Sequence, residues 1–292
     1  MRPSLGLSLC AAAVLFGCSP ANQAPSGTLR VMAAETFLAD IAQNVAGDQL
    51  VVDSLLSPGI NPHEFQSTPQ DAIRLAQAQV LIINGLGYDA WLERSLGSTP
   101  GGPRIVEASS GLEPGPLADP HLWMNPRNAA RYAENIRDAL SEADPPGSSV
   151  YAANAEVYLA ELRTLDDWIQ SQVELIPAGR RVLITNHYAL ESFAQAYGFQ
   201  VAAVVIPGVT SEAAPSAQQM AAVIQAIQAV QAPAIFLDVH ERADLAQQIA
   251  AESGARVVTG LYVETLSDAG GPAPTYIEMM KHDVGLIVQA LR

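Results

Sequence analysis

The sequence has few basic residues and no long apolar run, and each shortage excludes a class of protein. Its 292 residues include 15 lysines and arginines against 30 aspartates and glutamates, a formal net charge of −15 at pH 7. A nucleic-acid-binding protein would present a basic surface to the phosphates. A membrane-spanning helix needs about 20 consecutive apolar residues, and no stretch of this sequence is that long. We therefore expect neither a nucleic-acid-binding protein nor an integral membrane protein.

The composition favours a folded, globular chain. Hydrophobic residues make up 49% of the sequence and charged residues only 15%. Extended disorder is therefore not expected, and a sizeable core can form. A chain of this length is typical of about two domains.

The first residues are typical of an export signal. An apolar stretch at residues 5–16 is followed by Gly17 and Cys18, and a short apolar segment closed by small residues is the pattern of a secretory signal. The ending Leu-Phe-Gly-Cys resembles the lipobox of bacterial lipoproteins, in which the cysteine is lipidated. We predict that residues 1–17 are a lipoprotein signal peptide, that Cys18 is lipidated and that residues 18–27 form a tether. An ordinary signal peptide cleaved elsewhere is the alternative.

The sequence contains only two cysteines, and the predicted processing accounts for both. Cys10 is removed with the signal peptide and Cys18 carries the lipid. No thiol then remains in the mature chain for a disulfide bond or a thiolate–metal bond.

Two sets of four short apolar runs, alternating with helical patterns, predict an α/β fold. The predicted strands are Leu29–Ala33, Leu50–Leu55, Val80–Ile83 and Arg104–Glu107 in the first set, and Arg181–Thr185, Val201–Ile206, Ala234–Val239 and Arg256–Thr259 in the second. Strands that alternate with helices favour parallel pairing. Continuous apolar strands are typical of sheets covered by helices on both faces. We therefore predict two lobes, each a mainly parallel four-stranded sheet flanked by helices.

A long helix is predicted between the two sets of strands. Residues 148–176 contain no glycine or proline, and their apolar residues recur at helical spacing. About 27 residues at 1.5 Å each would make a rod of about 40 Å. The predicted division is a first lobe at residues 28–146, a linker helix at 147–177 and a second lobe at 178–292. A surface helix of one large domain is the alternative.

Three of the five histidines that follow the predicted signal peptide come directly after predicted strands or shortly beyond them. They are His63, His121 and His187. In open α/β sheets, ligands bind at the carboxyl ends of the strands. A single histidine is more often a structural residue, but the shared placement of three at one edge favours a metal site.

The sequence around these histidines resembles that of a known family. The matching elements are Pro62-His63-Glu64, the block Asp-Pro-His-Leu-Trp-Met-Asn-Pro at 119–126, Asn186-His187, the segment 261–267 and the segment 271–280. Over essentially all of residues 28–292 the chain resembles the solute-binding lipoproteins of bacterial zinc/manganese ABC importers. The resemblance implies two α/β lobes joined by one long helix, with a metal bound between them.

The resemblance also implies a set of four metal ligands. They are His63 and His121 from the first lobe, and His187 and Glu264 from the second. Other members of the family place a glutamate at the position of His187 and commonly an aspartate at the position of Glu264. The longer glutamate side chain should still reach the metal.

Other polar residues near these motifs have less direct roles. Asp119 is a candidate to accept a ring N–H from a ligand histidine, although a turn or capping role is equally consistent with the sequence. Glu64 and Asp238 compete for the fourth ligand position, and each is better explained as a solvated or supporting carboxylate. His240 and Glu241 could lie near the mouth of the cleft, and His282 belongs to a helical pattern.

The function implied is that of an extracytoplasmic, lipid-anchored and monomeric receptor. It would capture one divalent transition metal per chain and deliver it to the permease and ATPase subunits of an ABC importer, without catalysis. Three imidazoles and one carboxylate favour zinc, with manganese or iron next. The resemblance to the family also implies the opposite choice: a histidine-rich loop, frequent in zinc members, is missing, and the Gly-Pro-Ala-Pro-Thr-Tyr block at 271–276 resembles that of manganese members. A secreted zinc hydrolase and a metal-binding surface adhesin are the alternatives.

Overall fold

The computed structural model describes residues 29–96, 102–206 and 215–292. The predicted signal peptide, Cys18 and the predicted tether lie outside the described residues. Within the described part of the chain, no helix is long and apolar enough to cross a membrane.

The first half of the chain forms a parallel four-stranded sheet. Its strands are β1 (Val31–Ala33), β2 (Val52–Ser54), β3 (Val80–Ile83) and β4 (Arg104–Glu107), in the order β2-β1-β3-β4. The helices between them are α1 (Thr36–Ala46), α2 (Pro69–Gln77) and α3 (Ala90–Leu96). Val31 of β1 lies opposite Val52 on one side and Val80 on the other. The connections leave β1 and β3 in opposite directions, which creates a crevice at the carboxyl ends of the central strands.

Two long antiparallel helices lead to the second half. Helix α4 (Pro126–Ala143) is joined by a 3-10 turn to α5 (Ser148–Val173). The 26 residues of α5 span about 40 Å. One face of α5 is buried, and its residues are Tyr151, Ala155, Tyr158, Leu162, Leu165, Ile169 and Val173. This face packs against α4 and α1.

The second half repeats the architecture of the first. Its strands are β5 (Val182–Thr185), β6 (Gln200–Val204), β7 (Ala234–Asp238) and β8 (Arg256–Leu261), all parallel and in the order β6-β5-β7-β8. The helices of this half are α6 (Glu191–Tyr197), α7 (Ala217–Val230), α8 (Ala243–Ser253) and α9 (Tyr276–Leu291). Helix α9 returns to pack on both α5 and β8.

The main hydrophobic core is shared by the two halves. One continuous cluster of buried side chains includes Phe37 of α1, Ile169 of α5, Phe236 of β7 and Met279 of α9. Since burial of apolar surface is the dominant favourable term in folding, the α5 helix holds the two sheets against a common interior. A smaller cluster around Ile184 and Ile235 belongs to the second sheet alone.

The predicted fold class is confirmed, and the differences lie at the ends of elements. The long helix ends at Val173 rather than Ile176, because the N–H of Ile176 bonds to the carbonyl of Val173 in a tightened final turn. Pro177 follows, and a residue before proline is disfavoured in the helical conformation. Strand β2 is shorter than predicted, although the N–H of Leu55 still bonds to the carbonyl of Ala33.

The shared core yields a first prediction. Ile169→Ala should lower the free energy of unfolding by about 2–5 kcal/mol, because it removes a fully buried side chain and leaves a cavity. The matched control is Val157→Ala on the same helix, where the side chain is 61% exposed and the change should stay within about 0.5 kcal/mol. Urea denaturation of the metal-free proteins measures both changes. Equal effects of the two substitutions would contradict the packing described for α5.

Candidate metal centre

Each of the three histidines is held by local structure at the carboxyl edge of a sheet. His63 lies in a 3-10 turn whose preceding residue, Asn61, accepts the His63 N–H at 2.9 Å. His121 immediately precedes the 3-10 turn that leads into α4. His187 lies two residues beyond the end of β5, where the Thr185 hydroxyl donates to the His187 carbonyl at 2.7 Å.

These histidines converge on Glu264, which follows β8. The Nε2 atoms of His63, His121 and His187 lie 2.7, 3.3 and 3.0 Å from the same Glu264 oxygen, Oε1. One ligand atom from each of the four residues lies within 4.8 Å of the other three. The four side chains are at most 5% exposed. The structure thus brings together the four residues that the family resemblance implied as ligands.

The donor atoms of this group suit a divalent transition metal. His63 Nε2 is buried and makes no aligned hydrogen bond within the described part of the chain, although it lies 2.7 Å from Glu264 Oε1. An unpaired buried nitrogen is costly unless another partner satisfies it. A cation among the three imidazoles and the carboxylate would satisfy their lone pairs together. Imidazole nitrogen and carboxylate oxygen are common ligands of zinc, and imidazole also suits iron.

Asp119 holds the other ring nitrogen of His121. Asp119 Oδ1 lies 2.6 Å from His121 Nδ1 and also accepts the His121 backbone N–H at 3.0 Å. Burial alone would lower the pKa of His121, but the Asp119 and Glu264 carboxylates raise it to about 9. Burial likewise opposes ionisation of Asp119, but the His121 charge outweighs it and the pKa of Asp119 is lowered. Asp119 keeps one proton on Nδ1, so Nε2 becomes available as a ligand when the second ring proton leaves.

Glu264 is a buried carboxylate that remains ionised. Burial raises its pKa, but the electrostatic interaction with His63 and the hydrogen bonds from His121, His187 and His63 lower it well below its usual range. The negative charge needed to bind a cation is therefore present before the cation arrives.

On the second lobe, Glu241 faces the outer nitrogen of His187. Glu241 Oε1 lies 3.6 Å from His187 Nδ1, too far for a hydrogen bond. Burial raises the pKa of Glu241 to about 7, although its electrostatic interaction with His187 acts to lower it. Glu241 thus lies behind His187, as Asp119 lies behind His121, but at a longer distance.

The remaining sequence candidates lie outside the group of four. Asp238 supports the chain before Glu264, since its two oxygens accept the backbone N–H groups of Val263 at 2.5 Å and His240 at 3.1 Å. Glu64 is exposed. His282 lies on α9, where its Nε2 is 2.9 Å from the Gly260 carbonyl.

Sequence reasoning missed a tyrosine at the centre. The Tyr88 ring packs edge-on against His63 and His121, with centroid distances of 5.3 and 5.4 Å. Burial raises the pKa of Tyr88 well above its usual value, so the phenol stays neutral. No sequence signal marked Tyr88, since it reaches the site from the loop between β3 and α3.

Sequence reasoning also missed a buried acid, Glu35. Its side chain is completely buried next to the Asp89 carboxyl group. Burial and the charge of Asp89 raise the pKa of Glu35 well above its usual value, so Glu35 is neutral. Burial also raises the pKa of Asp89, to about 6, although the N–H groups of Asn84 and Gly85 bond to it. The available signal was that Glu35 follows β1 at the same sheet edge as the histidines.

Comparison with known proteins identifies similar metal-binding proteins. The family model ZnuA, zinc-uptake complex component A, periplasmic, matches residues 31–290. The iron-binding protein YfeA of Yersinia pestis is 34% identical over 290 residues, covering 97% of this chain and 92% of that protein. The manganese-binding lipoprotein MntA of Halalkalibacterium halodurans is 32% identical over 268 residues, covering 90% and 88%. The Mn-bound periplasmic metal binding protein from Candidatus Liberibacter asiaticus has a TM-score of 0.83 at 28% identity, covering 90% of this chain and all of that one.

The neutral Glu35 generates a prediction on pH dependence. The unfolded chain releases the Glu35 proton above about pH 4.5, whereas the folded protein keeps it to higher pH. The contribution of Glu35 to the free energy of unfolding therefore falls with rising pH in this range, by roughly 1 kcal/mol for each pH unit. Glu35→Gln has no proton to release, so its advantage over the natural protein should grow as the pH rises above about 4.5, for as long as the folded natural protein keeps the Glu35 proton.

Urea denaturation of the metal-free proteins measures this advantage. Glu156→Gln on the exposed side of α5 is the control and should have a pH profile parallel to that of the natural protein. A parallel profile for Glu35→Gln as well would show that Glu35 is ionised in the folded protein.

Proposed function

The chain belongs to the ZnuA family of periplasmic zinc-uptake components, and we propose on that basis that it captures a divalent transition metal for an ABC importer. Members of this family are substrate-binding proteins rather than enzymes. The metal is the transported cargo, and no covalent bond is made or broken in the protein. The delivered ion would pass to the permease and ATPase subunits of the importer.

One observation carries the proposal: four buried donor atoms from both halves of the chain converge on one point. We propose that His63, His121, His187 and Glu264 bind a single ion, since their donor atoms lie within 4.8 Å of one another. Binding of a cation to Nε2 of His121 displaces the proton that this histidine holds below about pH 9 in the metal-free protein. Affinity should therefore fall as the pH falls.

A zinc hydrolase is a weaker explanation of the same residues. A catalytic zinc needs an open coordination position for water, and the fourth position here faces Glu264 Oε1.

The site is proposed to lie outside the cytoplasm on a lipid anchor. The ending Leu-Phe-Gly-Cys at residues 15–18 supports lipidation of Cys18. MntA, one of the relatives, is named as a lipoprotein. We propose that the anchored receptor is a monomer with lobes at residues 28–146 and 178–292, joined through the helix within 147–177.

Zinc is the proposed cargo, with manganese and iron as the other candidates. Three imidazoles and one carboxylate suit tetrahedral zinc, whereas manganese prefers oxygen-rich sites of higher coordination number. The relatives differ in the metal for which they are named, since YfeA is named for iron and MntA for manganese. Manganese and iron therefore remain candidates for the cargo of this chain. A bidentate Glu264 would raise the coordination number to five and weaken the preference for zinc.

The proposed ligand set predicts one tightly bound metal ion per chain. Binding to the folded state stabilises it by about 4 kcal/mol when free metal exceeds Kd by about 1,000-fold. The melting temperature should therefore rise by several degrees on addition of zinc. His187→Ala should remove most of that rise, and the control His282→Ala, on α9 outside the group, should retain it.

Metal analysis by mass spectrometry and calorimetric melting measure these effects. Failure of zinc, manganese and iron in turn to bind the natural protein would overturn the proposed function. If zinc raises the melting temperature of His187→Ala as much as that of the natural protein, His187 is not a ligand, and only that residue leaves the proposed ligand set.

The choice of cargo predicts a growth phenotype. Tight zinc binding by itself is weak support, because zinc exceeds manganese in intrinsic affinity at most nitrogen and oxygen sites. We expect the gene to restore growth of a receptor-deletion strain at limiting zinc. The His63→Ala variant, which lacks one ligand, should not restore it. Rescue at limiting manganese only, with zinc uptake unchanged, would assign manganese as the cargo.

A further inference from the structure

At Glu264 the hydrogen-bond partners of the chain change from residues of the second lobe to residues of the first. We call residues 262–267 the Glu264 segment. Before Glu264, the backbone N–H groups of Tyr262 and Val263 bond to carboxylates of the second lobe, Asp283 and Asp238. From the Val263 carbonyl onward, the hydrogen-bond partners of the segment lie mainly in the first lobe.

Three hydrogen bonds that involve a backbone group attach the Glu264 segment to the first lobe. The Trp123 indole donates to the Val263 carbonyl at 2.8 Å. The Leu266 backbone N–H donates to Oγ1 of Thr36 at 2.8 Å. The backbone N–H of Gly59 donates to Oγ1 of Thr265 at 3.1 Å, so two of the three bonds involve residues directly after Glu264.

Thr36 is the side chain on which this attachment most depends. It is the first residue of α1 and is only 7% exposed. Its hydroxyl also lies 3.4 Å from that of Thr265, which in turn donates to the Leu266 carbonyl. Loss of the Thr36 hydroxyl would leave the buried N–H of Leu266 without its partner, which is costly away from water.

We propose that Thr36 is a positioning residue for the metal ligand Glu264 and fixes its carboxylate to the first lobe. His63, His121 and Glu264 then move as one unit when the lobes separate, and only His187 is withdrawn from the metal. This inference rests on the proposed function, because it concerns the same four ligands. It assigns the first step of metal release to the loss of a single imidazole.

Beyond the segment, α9 strengthens the same attachment. The N–H of Tyr276 donates to Asp40 Oδ2 at 2.9 Å, and its hydroxyl donates to the Trp123 carbonyl at 2.6 Å. Both acceptors belong to the first lobe. Glu264 is therefore followed in the chain by a series of contacts to the lobe that carries His63 and His121.

The test compares metal release from variants at position 36. Thr36→Val keeps the shape of the side chain and removes the hydroxyl, and Thr36→Ser keeps the hydroxyl. The control is Thr164→Val on α5, where the hydroxyl donates to the Ala160 carbonyl of its own helix. Cobalt(II) is the probe, because its visible spectrum reports the ligands and stopped-flow transfer to a chelator gives the dissociation rate.

Thr36→Val should release cobalt roughly tenfold faster, the factor that corresponds to about 1.4 kcal/mol. Its spectrum should show a changed carboxylate ligand, and Thr36→Ser and Thr164→Val should match the natural protein. If the natural protein binds cobalt but Thr36→Val releases it like Thr164→Val, the inference is wrong and the proposed function stands.

A second variant covers the case in which Thr36→Val does not fold, as judged by its circular dichroism. Thr265→Val removes the hydroxyl that accepts the Gly59 N–H and should increase the release rate in the same direction. If folded Thr265→Val releases cobalt at the rate of the natural protein, the proposed attachment of the Glu264 segment to the first lobe is wrong. Absence of cobalt binding by the natural protein would overturn both the inference and the proposed function.

Discussion

The convergence of three imidazole nitrogens on one buried carboxylate oxygen is the constraint on which the rest of the structure depends. Glu264 Oε1 lies within 3.3 Å of the Nε2 atoms of His63, His121 and His187. An isolated buried carboxylate would take up a proton, and only the nearby imidazoles keep this one ionised. Because these side chains follow strands of both sheets, the site forms only when the two sheet edges face each other. The shared core along α5 holds the edges in that arrangement.

The block at residues 119–126 shows how one stretch of sequence serves several structural purposes. Asp119 bonds to His121, Trp123 bonds to the Val263 carbonyl in the other half, and the Asn125 side chain caps the start of α4. The block therefore orients one proposed ligand, ties the loop of another to the first lobe and begins a core helix. Loss of any one of these residues would disturb the others through the shared backbone.

Much of the fold and part of the site could be predicted from the sequence, for identifiable physical reasons. The four central strands are buried apolar runs, and the four edge strands, although partly exposed, contain enough apolar residues to be recognised, so all eight were found. The three histidines follow strands of both sheets, at the carboxyl ends where ligands bind. Glu264 followed only from family resemblance, because an acidic residue after a strand has no local mark of metal binding. Glu35 and Tyr88 could not be assigned, since their burial depends on contacts between distant parts of the chain. Element ends differed where hydrogen bonds decide them, as at Val173.

The continuous core beneath the cleft has a consequence for where the work of transport is done. Receptors whose lobes are joined by flexible strands can open widely by thermal motion, and ligand binding then has to close them. Here α5 buries one face along most of its length in an interior common to both sheets, so wide separation would expose apolar surface to water. We expect a receptor that is preorganised for its ion and slow to give it up unaided. The mechanical work of release would then be supplied by the membrane complex that receives the ion.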